Sequence, residues 1–72
     1  MEDDFESPLQ YLENNRYYIE NMQSAEIYDT TGVLVRRFEA NQIIDLGYLP
    51  TGTYFIKYFV NNKSNTEKVV RF

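Results

Sequence analysis

The sequence alternates short apolar or aromatic runs with turn-forming residues, and from Leu9 onward a turn recurs about every six to twelve positions. This rhythm is typical of an all-β sandwich or barrel. No window combines a period of about 3.6 residues with a helix cap and a helix stop, so the sequence predicts no helix. Short connections favour antiparallel pairing of successive strands. We therefore predict a seven-stranded antiparallel β-sandwich of immunoglobulin-like appearance.

The seven predicted strands are separated by residues with recognisable turn chemistry. They span residues 9–13, 16–20, 25–29, 33–38, 42–46, 53–60 and 66–71. Asn14 and Asn15 suit a two-residue type I′ turn, because asparagine tolerates a positive φ. Residues 61–65 are predicted to form a polar turn. Residues 47–52, which hold two glycines and a proline, are predicted to form the longest crossover.

Length and charge distribution predict one small domain behind an acidic segment. A chain of 72 residues forms at most one domain, and hydrophobic residues at 43% are too many for a disordered tail. Four of the eleven acidic residues lie in the first six positions. We therefore predict an acidic flexible leader or linker over residues 1–8 and a folded domain over residues 9–72.

Composition argues against catalysis and against several classes of partner. Cysteine and histidine are absent, which removes disulfides, thiolate metal sites and the usual general base. No glycine-rich phosphate loop is present, so we predict no enzyme activity and no cofactor or metal. Beyond residue 6 acidic and basic residues are balanced at seven each, and no apolar stretch approaches the roughly 20 residues of a membrane span. We expect neither a nucleic-acid partner nor membrane insertion.

Aromatic residues of the sixth predicted strand are the first candidates for a binding surface. Alternation along a strand places Tyr54, Ile56 and Tyr58 on one face and Phe55 and Phe59 on the other. The first set is favoured as core, since aromatic residues have high strand propensity. For Phe55 and Phe59, a core position and an exposed binding face are equally open, because a sandwich buries one face of each strand.

The remaining polar candidates are interpreted as turn chemistry. Asp29 and Asp45 lie at predicted strand ends, where aspartate side chains commonly accept backbone hydrogen bonds. The acidic residues of the leader lack the spacing of a calcium loop. The last residues, 68–72, keep strand character to the end, which fits a final strand, a terminal recognition signal, or both.

Three stretches of the sequence together resemble a known family. They are Ala25-Glu26-Ile27-Tyr28-Asp29 followed by Gly32-Val33-Leu34-Val35, then Ile44-Asp45-Leu46 with Leu49-Pro50-Thr51-Gly52-Thr53-Tyr54-Phe55-Ile56-Lys57, and finally Lys68-Val69-Val70-Arg71. In this order they resemble a type A C-terminal sorting domain of the type IX secretion system of Bacteroidetes, over about residues 25–71. The resemblance implies fold-determining roles for Gly32, Ile44, Asp45, Leu46, Leu49, Pro50, Gly52 and Tyr54. It implies a recognition role for the terminal strand, Lys68, Val69, Val70 and Arg71.

The function implied by this resemblance is protein sorting without catalysis. A module of this family directs an attached upstream cargo from the periplasm through the outer membrane to the cell surface. Its implied partners are the outer-membrane translocon and a surface sortase, which removes the module and joins the cargo to a lipopolysaccharide anchor. The sequence departs from the family at Gly47, where serine is common, and at Phe72, which follows the terminal basic residue. The alternative function is a small stand-alone secreted binding or adhesion module of unknown ligand.

Overall fold

A computed structural model describes residues 7–72 of the chain. The first six residues, which carry the acidic part of the predicted leader, lie outside the described residues. Residues 7–72 contain seven strands and no helix. The strands are β1 (Gln10–Tyr11), β2 (Arg16–Tyr18), β3 (Met22–Tyr28), β4 (Leu34–Glu39), β5 (Ile44–Asp45), β6 (Gly52–Val60) and β7 (Lys63–Arg71). For these residues the prediction of an all-β fold with seven strands is confirmed.

The strands form two antiparallel sheets that share one core. One sheet has the order β1-β2-β5 and the other the order β4-β3-β6-β7. Alternate side chains of β3 and β6 are buried, as the predicted face of the sixth strand requires, and one cluster joins them to the buried Ile44 of the smaller sheet. The fully buried contributors include Ala25, Ile27, Ile44, Ile56 and Tyr58.

The pairing of β4 departs from that of a constant-type immunoglobulin domain. In a constant-type immunoglobulin domain the fourth strand joins the sheet of strands one, two and five. Here β4 pairs with β3 instead, from Ser24 opposite Glu39 to Tyr28 opposite Leu34. The antiparallel two-sheet arrangement is therefore established, and its immunoglobulin-like character stays a prediction.

The predicted polar turn over residues 61–65 is wrong. Val60 pairs with Lys63, so the loop holds only Asn61 and Asn62. Both have positive φ, at 55° and 64°, as a type I′ turn requires. Its twist matches that of the flanking strands, and pairing resumes at once with the polar residues that open β7.

The predicted two-residue turn at Asn14 and Asn15 is also wrong. Both asparagines have positive φ, but the Leu12 N–H donates to the Arg16 carbonyl at 2.8 Å, leaving three residues in the loop. This register places Tyr11 opposite Tyr17, and the two rings meet edge to face with centroids 5.3 Å apart. A one-residue shift would lose this aromatic pair and turn every side chain of the strand to the other face.

Gly52 opens β6 with a backbone conformation that side chains disfavour, and it provides a stability test. Its φ is +155°, and a Cβ built there meets nothing within 4 Å, so the cost of a substitution is conformational. We expect Gly52→Val to destabilise the domain by about 1–3 kcal/mol in urea unfolding. Thr53→Val places the same side chain one position later, where φ is negative and the native threonine is already β-branched, and should cost much less. Equal unfolding midpoints for Gly52→Val and wild type would contradict the need for glycine.

Candidate functional site

The terminal strand β7 lies at the edge of the four-stranded sheet. It pairs with β6 along its whole length, from Gly52 opposite Arg71 to Val60 opposite Lys63. Within residues 7–72 no strand pairs with its other edge. Backbone groups along that edge are therefore available to a partner strand.

The four predicted recognition residues do not share one surface. Lys68 and Val70 are exposed on the outer face of the sheet, which is the face that points away from the core. Val69 points the other way and is buried in the core at 8% exposure. Arg71 shares the inner face with Val69 and is half-buried. Side-chain alternation thus divides the predicted signal into an outward pair and an inward pair.

The Arg71 guanidinium binds backbone of the crossover between β5 and β6. Nη2 donates to the Gly47 carbonyl at 3.1 Å, and Nε donates to the Leu46 carbonyl at 3.4 Å. Nη1 donates to the carbonyl of Phe72. The terminal basic residue therefore joins the end of β7 to a segment that precedes it by more than twenty positions.

The crossover that receives Arg71 is a hydrogen-bonded turn. Leu46 is fully buried, and its carbonyl also accepts the Leu49 N–H at 3.0 Å. Asp45 Oδ1 accepts the Gly47 N–H at 2.8 Å, and a Cβ at Gly47 would lie 2.9 Å from that oxygen. Glycine at this position therefore lets the Asp45 carboxylate approach the turn. The predicted turn-capping role of Asp45 is confirmed.

Tyr54 forms a hydrogen bond with the other end of the crossover. Its ring is buried at 7% exposure, and its hydroxyl donates to the Pro50 carbonyl at 2.7 Å. Leu49 packs against the core beside it. The residues implied as fold determinants in this segment thus contact one another or the core where β5 passes into β6.

A second fold determinant is the turn between β3 and β4. Asp29 Oδ1 accepts the backbone N–H groups of Thr31 and Val33 and the Thr31 hydroxyl. The hydrogen bond from the Thr31 side chain is the largest of the causes that lower the pKa of Asp29. Gly32 closes the turn at a φ of +86°. The prediction that Asp29 caps a turn is confirmed.

The outer face of β6 is partly covered, including both phenylalanines proposed as a binding face. Phe55 lies between Tyr28 and Lys68 in the pairing register, and both its ring and that of Phe59 are half-buried. Lys57 Nζ lies 5.5 Å from the Phe59 ring centroid, within cation–π range. Lys57 thus lies between Phe55 and Phe59 along the strand, and its ammonium group covers the Phe59 ring.

Glu67 on the inner face of β7 was missed by the sequence analysis. Its Oε2 accepts the Tyr58 hydroxyl at 2.5 Å and the Ser7 hydroxyl. Tyr58 is fully buried, and burial followed by the bond to Glu67 raises its pKa to about 12. An isolated glutamate between polar residues of a terminal strand carries no sequence signal for this contact.

Residues 7–72 contain no group of acidic side chains placed to hold a metal ion, and they enclose no pocket. No helix in this part of the chain is long and apolar enough to span a membrane.

Comparison with known families decides between the two functions raised by the sequence. The profile of the family described as a secretion system C-terminal sorting domain matches residues 9–71. The chain belongs to this family. The resemblance seen in the sequence is confirmed, and the match includes every strand from β1 to β7. No curated protein matches the sequence.

Membership of the family establishes the function in outline. The sorting domain is a C-terminal signal for type IX secretion, so it works with that machinery and on an attached upstream cargo. The signal implies export to the cell surface or secretion. The family is not known as catalytic.

Proposed function

We propose that the outer-membrane translocon of the type IX system recognises the sorting domain by binding β7. The observation that supports this most is the division of the terminal strand: Lys68 and Val70 face outward while Val69 holds the strand to the core. A partner can contact the two outward side chains and the unpaired edge without unfolding the domain. Strand edges are a common route for peptide and strand recognition.

The steps after recognition follow from the family resemblance. The cargo passes from the periplasm through the outer membrane, and a surface sortase removes the domain and joins the cargo to a lipopolysaccharide anchor. The domain spans residues 9–72, and residues 1–8 serve as the linker to the cargo. In this route the sorting domain contributes binding surfaces only.

The immunoglobulin-like character of the sandwich is part of this proposal. Its support is the hydrogen bond from Tyr54, at the start of β6, to the carbonyl of Pro50 four residues earlier. Immunoglobulin-like domains contain such a tyrosine corner at the equivalent crossover, with the hydroxyl bonded to backbone just upstream. The domain then differs from a constant-type immunoglobulin domain in the sheet that its fourth strand joins.

A stand-alone adhesion module using Phe55 and Phe59 has weaker support. Both rings are half-buried, and Lys57 lies over one of them. Flat binding of a sugar or base needs an aromatic face free of such cover.

Replacing Lys68 tests recognition at β7. A soluble reporter followed by residues 1–72 is produced in a bacterium that has the type IX system, and the exported fraction is measured. We expect Lys68→Gln to lower export, because the outward cation at the strand end is lost. Unfolding in urea should change by no more than about 1 kcal/mol, since the side chain is exposed.

Lys63→Gln is the matched control for this test. It removes the same charge from the same strand at an exposed position at the far end of β7. Export of this variant should equal wild type. If Lys68→Gln and Lys63→Gln are exported equally well, the translocon does not recognise Lys68. A folded wild-type fusion that stays in the periplasm would contradict recognition at β7 altogether.

A further inference from the structure

We propose that Arg71 is a positioning residue that acts inside the sorting domain. It holds the end of β7 to the Leu46–Gly47 backbone, and export depends on this attachment rather than on contact between the Arg71 charge and the translocon. The inference rests on the proposed function, in which the translocon recognises β7. In this view the translocon does not recognise the charge of the terminal basic residue. Instead, the hydrogen bonds of this residue order the strand that the translocon recognises.

The end of β7 beyond the buried Val69 needs such a bond because little else holds it. Its last paired residue lies opposite Gly52, which offers no side chain for a cross-strand contact. Strand ends without side-chain support open locally at low free energy. Phe72 beyond the strand is 85% exposed and contributes no packing. Pairing with β6 alone would therefore leave residues 70–71 prone to fraying, beyond the point where the buried Val69 holds the strand to the core.

Arginine has the chemistry to supply the missing attachment. Its planar guanidinium presents five donors in a fixed geometry, and here three of its nitrogens donate to three carbonyls. Hydrogen bonds from a charged donor are about twice as strong as neutral ones. The acceptors on Leu46 and Gly47 are backbone oxygens, so the attachment does not depend on which side chain stands at position 47.

The attachment also explains how an inward residue can matter to an outward signal. Val69 and Arg71 point to the inner face, while Lys68 and Val70 point outward from the same strand. When residues 70–71 detach, Val70 loses its fixed direction, so Lys68 and Val70 no longer present one ordered surface. A partner that binds them must then order the strand, which weakens binding.

The test separates attachment from charge with two variants of the reporter fusion. Arg71→Gln removes the guanidinium, and we expect export to fall and the amides of residues 70–71 that are hydrogen-bonded to β6 to exchange at least about tenfold faster. Exchange elsewhere in β3 and β6 should not change. Adding Phe72→Lys to Arg71→Gln restores the terminal charge one residue later, where alternation points it away from the crossover. Export should stay low. Restored export by the added lysine would show that the charge itself is read and would overturn the proposal.

A matched core variant separates local attachment from loss of overall stability. Ile27→Val removes one methylene from the fully buried centre of β3 and leaves the end of β7 intact. At an equal loss of urea midpoint, we expect Ile27→Val to be exported more efficiently than Arg71→Gln. Equal export of the two would assign the effect of Arg71 to global stability and overturn the positioning role.

The outcomes also distinguish this inference from the proposed function. Normal export of Lys68→Gln together with low export of Arg71→Gln contradicts the contact with Lys68 and keeps the positioning role. Normal export of Arg71→Gln with fast exchange at residues 70–71 contradicts the positioning role and leaves the contact at Lys68 standing.

Discussion

Replacing Tyr54 with alanine is expected to destabilise the sorting domain by about 3–5 kcal/mol, as truncation of aromatic side chains in cores usually does. The ring is 7% exposed, and its hydroxyl bonds the Pro50 carbonyl. A chain of 72 residues has a total stability of roughly 4–11 kcal/mol. The variant should therefore lose a large part of its stability, seen as a lower thermal midpoint by circular dichroism and a lower urea midpoint.

Two variants locate the source of this loss. Tyr54→Phe keeps the buried ring and removes only the hydroxyl, so it should cost about 1 kcal/mol. Phe55→Ala truncates the next aromatic ring, which lies half-buried on the outer face, and should cost clearly less than Tyr54→Ala. A larger loss for Phe55→Ala than for Tyr54→Ala would mean that the two faces of β6 are assigned the wrong way round.

The inward and outward faces of β6 could be predicted from sequence because nothing interrupts its alternation. Its register with β7 continues through nine residues without a shift, so each inward residue follows two positions after the last. β3 was harder to delimit. Its pairing with β6 is irregular between Met22 and Ser24, so the buried Met22 falls outside the alternation and the strand begins earlier than predicted.

The candidate site could be predicted only as far as local pattern and family resemblance reach. Lys68 and Arg71 were predicted because they stand in a terminal strand that resembles a family motif. The contact between Arg71 and Gly47 joins positions 24 apart, and that between Ser7 and Glu67 joins positions 60 apart. Single residues of common type give no signal for such pairs, because the contact depends on how two sheets and a crossover meet.

Tyr58 should make the sorting domain unstable in alkali. Burial and the hydrogen bond to Glu67 raise its folded-state pKa to about 12, against an ordinary value of 10.0. Folding therefore favours the protonated hydroxyl. The stabilisation is complete below about pH 10 and is lost as the pH rises from 10 to 12, because the unfolded chain releases the proton first. We expect the free energy of unfolding to fall by about 2–3 kcal/mol across this range, measured by urea titration at successive pH values.

Tyr58→Phe is the control for this pH dependence, because it fills the same space without a titrating group. It should be less stable at neutral pH, since Glu67 loses a buried donor, and its stability should fall less steeply above pH 10. Burial also raises the pKa of Tyr17, and the hydrogen bond to Glu26 raises that of Tyr28, so a smaller slope of the same sign should remain. Parallel pH profiles for wild type and Tyr58→Phe would mean that Tyr58 ionises normally in the folded domain. The bond to Glu67 would then not hold its proton, and the link from Ser7 through Glu67 to the core would be weaker than the geometry indicates.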